Sequence, residues 1–292
     1  MAIIIDGKAI ARKKRETAAE RSAVLKKQGI VPCLAVILAG EDPASISYVT
    51  AKEKALEEAG MESRDIRLSK DISEDALLDL IDTLNKDNAV HGILVQLPLP
   101  AHIQEDRIIQ AIDPKKDVDG FHPISVGNLV LGRPGFLPCT PHGIIVLLNE
   151  MNIITSGSHA VIVGRSNIVG KPLANLLIRK EINASVTICH TGSGDLGYYT
   201  RQADILIAAA GRAGLIKADM VKEGAAVIDV GVNRVTDTST KKGYRLCGDL
   251  DYDAVAARAS YITPVPGGVG PMTIAMLLLN VIQAAETAAA KV

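Results

Sequence analysis

The chain has 292 residues, enough for one large or two ordinary domains, and sets 32 Lys and Arg against 33 Asp and Glu. That balance excludes the strongly basic surface of a nucleic-acid binder. With no Trp and only 3% aromatic residues, the core must be aliphatic, which suits parallel strands covered by helices.

The start, Met1–Asp6, has no basic leader and is too short for a signal peptide. The four cysteines, Cys33, Cys139, Cys189 and Cys247, lie scattered and read as reduced thiols of a cytoplasmic protein. The six histidines have no metal-ligand spacing with Cys or acids, so no metal is expected. The basic run Arg12–Arg15 reads as a solvated helix face, because Glu16 and Glu20 follow at helical spacing.

Pro32–Leu38 reads as a strand and 44–59 as a helix. Ile66–Leu68 is a weaker strand. Leu77, Leu80, Ile81 and Leu84 recur with the period of a helix that Ser73 can cap. Gly92–Val95 is a third strand, and near Asp117 the pattern loosens into loops. Regular order returns at Pro141 with the apolar helix Ile144–Leu148. A second series follows, in which 160–163, 185–189, 205–209 and 225–229 are buried strands separated by helical patterns. The closing helix starts at Pro271 and puts Met272, Ala275, Met276 and Leu279 on one face. Its longest apolar run, Ile274–Ile282, is interrupted by Asn280, so no membrane span is expected.

Two such series predict an α/β fold of two domains, each with a mostly parallel sheet covered by helices. The expected division is 1–140 plus 271–292 for the first domain and 141–270 for a Rossmann-type second domain.

Val161–Pro172 reads as strand, glycine turn and helix start, the place where a dinucleotide pyrophosphate sits. The usual G-x-G-x-x-G is absent, because Arg165 and Ser166 follow Gly164. The next strand ends at His190 and Thr191 with no acid to hold a ribose 2′-hydroxyl; the nearest is Asp195. Arg165 can instead meet a 2′-phosphate, so NADP is expected over NAD. The opposing reading pairs Arg165 with a surface acid.

In the first series Tyr48 and Lys52 lie one helical turn apart, and Gln96 closes a buried strand where ligands of open α/β sheets bind. Asp117 and Asp119 flank a glycine turn; they read as turn residues, a metal site or an acid/base pair. The Pro/Gly-rich segment Thr263–Thr273 can shape a binding wall but carries no acid, base or nucleophile beyond its terminal hydroxyls.

Together, in this order, Tyr48-x-x-x-Lys52, Gly92–Pro100, Lys116–Gly120, Gly164–Pro172 and Thr263–Thr273 resemble the bifunctional methylenetetrahydrofolate dehydrogenase/methenyltetrahydrofolate cyclohydrolase family over nearly the whole chain. The resemblance implies a folate domain, an NADP-binding domain, a catalytic cleft between them, and a cytoplasmic homodimer acting on tetrahydrofolate derivatives. It implies oxidation of 5,10-methylenetetrahydrofolate by NADP⁺, then hydrolysis of 5,10-methenyltetrahydrofolate to 10-formyltetrahydrofolate. Lys52 matches the catalytic lysine, Tyr48 its positioning tyrosine, Gln96 its hydrogen-bond partner and Asp119 the carboxylate gripping the pterin. Gly164, Arg165 and Ser166 match the NADP phosphate loop, with Thr191, Val232 and Thr273 also on the cofactor. Pro266, Gly267 and Gly268 are expected against the substrate.

Hydride loss leaves a cation shared by two nitrogens and needs orientation rather than a base. Water addition must release a proton. A lysine amine is ordinarily charged at neutral pH, so Lys52 acts either as an amine neutralised by burial and the cationic substrate or as a charged donor. Two departures from the family stand out. After Thr191 the sequence runs Gly192, Ser193, Gly194, Asp195 where the family more often has a basic residue, which weakens NADP preference. His142 stands where the family often has arginine. The competing readings are a monofunctional NAD(P)-dependent dehydrogenase of related fold and a catalytically silent dinucleotide-binding protein.

Overall fold

A computed structural model gives the fold and describes residues 2–240 and 243–290. In chain order the elements are β1 (Ile3–Ile4), α1 (Gly7–Lys27), β2 (Cys33–Ala39), α2 (Pro43–Glu58), β3 (Glu62–Leu68), α3 (Glu74–Lys86), β4 (Gly92–Val95), α4 (Glu105–Ala111), α5 (Pro123–Val130) and α6 (Cys139–Glu150). They continue with β5 (His159–Val163), α7 (Gly170–Leu177), β6 (Ser185–Cys189), α8 (Leu196–Thr200), β7 (Ile205–Ala208), β8 (Ala226–Asp229), β9 (Asn233–Thr236), β10 (Tyr244–Cys247), α9 (Tyr252–Ala256), β11 (Tyr261–Ile262) and α10 (Val269–Ala289).

The chain forms two compact α/β units. One comprises Met1–Ala11 and Cys139–Thr273, the other Arg12–Pro138 and Ile274–Val292. The division therefore falls inside α1 and inside α10. Residues 1–11 differ from the division expected from sequence, and the cause is strand pairing. Ile3 and Ile4 of β1 pair in parallel with Tyr261 and Ile262 of β11, which draws the N-terminus into the later-series unit.

That unit holds a six-stranded sheet of order β1-β11-β8-β7-β5-β6, parallel throughout. The chain runs from β5 outward to β6, then returns to the other side of β5 as β7. This reversal is the topological switch point where open α/β sheets bind ligands beyond their strand ends. The core is aliphatic, with Val161, Leu206, Ala208, Val227 and Ile262 inaccessible to solvent. The hairpin β9–β10 was not anticipated. Its strands mix half-buried and exposed residues, so no continuous apolar run marks them.

The other unit holds a parallel sheet of order β3-β2-β4. Central β2 is buried at all seven positions, which explains its unbroken Cys33–Ala39 apolar run. Edge strand β3 is longer than the weak Ile66–Leu68 signal because Glu62, Arg64, Asp65 and Arg67 leave it no apolar run. On α3, Leu77, Ile81 and Leu84 are buried, and the Ser73 hydroxyl accepts the Ala76 N–H, as the helical period predicts.

Helix α10 starts at Val269, two residues before the expected Pro271. Met272, Ala275 and Met276 are buried, while Leu279 is only half-buried. By length and composition alone, α10 is apolar enough to match a membrane span. Over half of that stretch, 56%, is buried inside the protein. Asn280 is 3% exposed and its amide donates to the carbonyls of Val118 (2.7 Å) and Leu137 (3.0 Å). An amide with fixed protein acceptors marks a core helix.

Candidate active site

In the three-stranded unit, α2 and β4 bring the chemistry-bearing side chains together. Helix α2 begins with Pro43 at its first turn, and the Asp42 carboxylate accepts the Ser45 N–H at 2.7 Å. This fixed start sets Tyr48 and Lys52 one turn apart. Tyr48 is 38% exposed, and partial burial raises its phenol pKa. Lys52 is 7% exposed, and its Nζ donates to Gln96 Oε1 at 3.0 Å.

Gln96 follows β4, where its backbone N–H extends the pairing to Ile37 O at 2.8 Å. Its side-chain Nε2 donates to Leu97 O at 2.7 Å. The amide is thereby oriented with oxygen toward the lysine, and the bond Leu97–Pro98 that follows is cis. The Asp117–Asp119 stretch lies alongside the same strand, because Ile93 bridges to Asp117 in parallel register. Asp119 therefore flanks β4, the strand that leads into Gln96, and is half-buried.

Of the three readings open for Asp117, the structure supports turn chemistry. Its carboxylate accepts the N–H groups of Phe121 (3.1 Å) and His122 (2.9 Å), and the Ser125 hydroxyl bonds to it. Asp117 is 2% exposed, and burial pushes its carboxyl up to about 6 against these hydrogen bonds. The sign follows from linkage. The folded state holds the proton more tightly than the unfolded chain, so this carboxyl makes stability fall as pH rises from about 4 to about 6. The effect is on the order of 3 kcal/mol for a shift of about two units. Asp117→Asn is expected to flatten that part of the pH–stability profile in urea unfolding; an unchanged slope would assign the drop elsewhere.

In the six-stranded unit, β5 ends at Gly164, whose φ is +136°. A Cβ there would lie 2.1 Å from the Ala209 carbonyl oxygen, so only glycine lets the loops after β5 and β7 touch. Arg165 and Ser166 are exposed just beyond. The Ser166 hydroxyl accepts the N–H groups of Val169 (3.1 Å) and Gly170 (3.4 Å) and so ties the loop to the start of α7. Beside it, Gly164 N–H donates to Cys189 O at 2.9 Å, which sets the end of β6 against the glycine turn. There the Ser193 hydroxyl accepts the His190 N–H, and His190 Nδ1 accepts the Gly192 N–H, leaving Thr191 exposed.

Val232 is 48% exposed in the loop after β8. Pro266 is exposed after a cis Val265–Pro266 bond, while Gly267 and Gly268 are buried. Thr273 lies in α10 as expected but belongs with this unit, and its hydroxyl meets that of Thr140 at 2.8 Å. The structure thus sorts the expected residues into two sets: Tyr48, Lys52, Gln96 and Asp119 in one unit, and Gly164, Arg165, Ser166, Thr191, Val232, Pro266, Gly267, Gly268 and Thr273 in the other.

An exposed guanidinium, two hydroxyls and a strand end without a carboxylate suit a phosphorylated ribose. Sequence reasoning missed Asp229 and Asp249, both buried, whose partners are backbone amides of distant loops. The only signal was a glycine near each, Gly231 and Gly248.

Residues 5–119 match the family model described as tetrahydrofolate dehydrogenase/cyclohydrolase, catalytic domain, and residues 138–289 the model described as its NAD(P)-binding domain. The chain is 58% identical over 286 residues to a bifunctional protein FolD of Exiguobacterium, covering 98% of this chain and 99% of the relative. It is 57% identical over 290 residues to the FolD of Syntrophus aciditrophicus, covering 99% of each. Among solved structures, the FolD methylenetetrahydrofolate dehydrogenase/cyclohydrolase of Campylobacter jejuni superposes with a TM-score of 0.93 at 52% identity, covering 98% of this chain and 99% of that one. The Trypanosoma brucei enzyme, solved with NADP and an inhibitor, gives 0.94 at 38% identity, covering 99% and 98%.

Proposed function

Because the chain belongs to the tetrahydrofolate dehydrogenase/cyclohydrolase family, we propose that its two activities divide between the two sets of residues, with Lys52 carrying the second. The protein is a bifunctional enzyme that oxidises 5,10-methylenetetrahydrofolate with NADP⁺ and hydrolyses the methenyl product to 10-formyltetrahydrofolate. The observation that carries the assignment is the buried Lys52 amine held 3.0 Å from an amide oxygen whose own orientation is fixed.

When bound, NADP⁺ accepts the hydride. Gly164, Arg165, Ser166, Thr191, Val232 and Thr273 hold it, with Arg165 and Thr191 at the 2′-phosphate. Pro266, Gly267 and Gly268 form a wall against the substrate and, with no basic side chain of their own, orient it rather than take a proton from it. Asp119 holds the pterin, and Tyr48 sets the approach to Lys52. In the hydrolytic step the Lys52 amine acts on the proton that the incoming water must lose. Gln96 keeps Nζ in place while the charge on the folate disappears. Because Lys52 already gives a hydrogen to Gln96, its lone pair, when the amine is neutral, is directed elsewhere and free for that proton.

The four cysteines are free thiols, which supports a cytoplasmic location. The homodimer implied by the sequence resemblance is checked by sedimentation.

Absorbance of the methenyl intermediate tests the sequence of steps. Mixed with methylenetetrahydrofolate and NADP⁺, the enzyme is expected to give a rise and then a decay of that band. A rise with only the slow solvent decay would leave a monofunctional dehydrogenase.

A further inference from the structure

Resting on the reading of the six-stranded unit as the NADP site, we infer that Asp249 is a positioning residue that builds the nicotinamide side of that site. It does so by turning the loop after β7 and the loop after β8 to one shared carboxylate. Asp249 is fully buried, and its carboxylate accepts hydrogen bonds from the loop after β7 and from Asn233, where the loop after β8 enters β9. Oδ2 takes the N–H groups of Ala210 (2.7 Å) and Gly211 (2.9 Å); Oδ1 takes those of Arg212 (2.8 Å) and the Asn233 side-chain amide (2.9 Å).

The packing around the carboxylate is as specific as its hydrogen bonds. A Cβ on Gly231 would lie 2.1 Å from Asp249 Oδ1, so the loop after β8 closes over the acid only with glycine there. A second acid supports the first. Asp229, at the end of β8, accepts the backbone N–H of Asp249 at 2.9 Å, of Leu250 at 3.2 Å and of Gly231 at 3.1 Å. A Cβ on Gly248 would lie 1.8 Å from Asp229 Oδ2. Asp229 N–H in turn donates to Thr263 Oγ1 at 2.7 Å, so the chain of bonds reaches the start of the Pro/Gly segment. Burial raises the Asp229 carboxyl to about 6, against the opposing pull of the backbone N–H groups that it accepts.

The placement identifies the half of the cofactor concerned. Arg165 and Thr191 stand at the ends of β5 and β6, which assigns the adenosine and its 2′-phosphate to that side of the switch point. The other mononucleotide half, the nicotinamide and its ribose, then falls beyond β7 and β8. The loop 210–212 is exposed there, directly over the buried acid. In trans peptides N–H and C=O point opposite ways. With three successive N–H groups turned in to Asp249, the carbonyls of Ala210 and Gly211 are turned away from it. That wall offers acceptors, which match a carboxamide and ribose hydroxyls and repel phosphate.

Calorimetric titration of the full-length protein with NADP⁺ and, separately, with adenosine 2′,5′-bisphosphate tests this. The second probe carries the adenosine half and no nicotinamide. An Asp249→Asn amide offers one acceptor oxygen and sets its NH₂ against two of the donors. It is expected to weaken NADP⁺ by tenfold or more and the bisphosphate by less than twofold. Asn233→Ala removes one donor of four and keeps the test alive should the first variant not fold; about threefold weaker NADP⁺ binding is expected, again without effect on the bisphosphate. Equal weakening of both probes, or no change in NADP⁺ binding by either variant, overturns the inference. A wild type that binds both probes yet oxidises no methylenetetrahydrofolate overturns the functional reading instead and leaves this one standing.

Discussion

Lys52→Met is expected to lower methenyltetrahydrofolate hydrolysis by about 100-fold or more while leaving NADP⁺-dependent oxidation measurable, because positioned proton transfer contributes factors of this size. Methionine keeps most of the volume of a side chain that is 7% exposed, so the local packing survives. What is lost is the amine that donates to Gln96 Oε1. The hydride step has no such dependence, since the cation it creates is stabilised within the folate. Measuring both steps on one preparation decides the matter. If the two rates fall in the same proportion, Lys52 serves binding or folding, and the division of roles between the two sets of residues is wrong. Gln96→Glu sharpens the comparison, because a carboxylate beside Nζ favours the charged amine. A hydrolysis that needs the neutral amine should slow, and one that uses the charged donor should not.

Arg165→Ala is expected to raise KM for NADP⁺ by roughly 10- to 100-fold, the equivalent of losing a charge-assisted hydrogen bond of about 1.5–3 kcal/mol. KM for NAD⁺, which has no 2′-phosphate, should change by less than threefold. The side chain is exposed, so its removal leaves the fold unharmed. Because glycines and Asp195 follow Thr191 where a base would reinforce the site, the proposed phosphate contact depends mainly on Arg165 for its positive charge. Equal increases for both cofactors would place Arg165 away from the 2′-phosphate.

The residues explain which parts of this molecule were legible in sequence. Strands such as β5 and β7 are buried on both faces, so 160–163 and 205–209 read as unbroken apolar runs. Strand β1 could not be read that way. It is two residues long, Ile3 and Ile4 are more than half exposed, and its assignment rests on a partner over 250 positions later. Lys52 and Gln96 were found through the motif they share with a family; spacing alone said nothing about a contact across 44 positions. Asp229 and Asp249 were missed because the sequence showed one only as the last residue of the 225–229 strand and gave the other no motif. Their burial depends on amides from loops that only the folded sheet brings near.

The interleaving of the two units has a consequence for the order of synthesis. The strand pairing that holds Ile3 and Ile4 waits for Tyr261 and Ile262, and the carbonyls of Val118 and Leu137 wait for Asn280. Neither unit can be completed until nearly the whole chain has left the ribosome, on the order of 15 s or more at about 5–20 residues per second. Folding from the first domain to the second, usual when domains are consecutive, is closed to this topology. A nascent chain stalled before residue 261 should stay sensitive to protease in both units, with β2 and α3 as its best-ordered part.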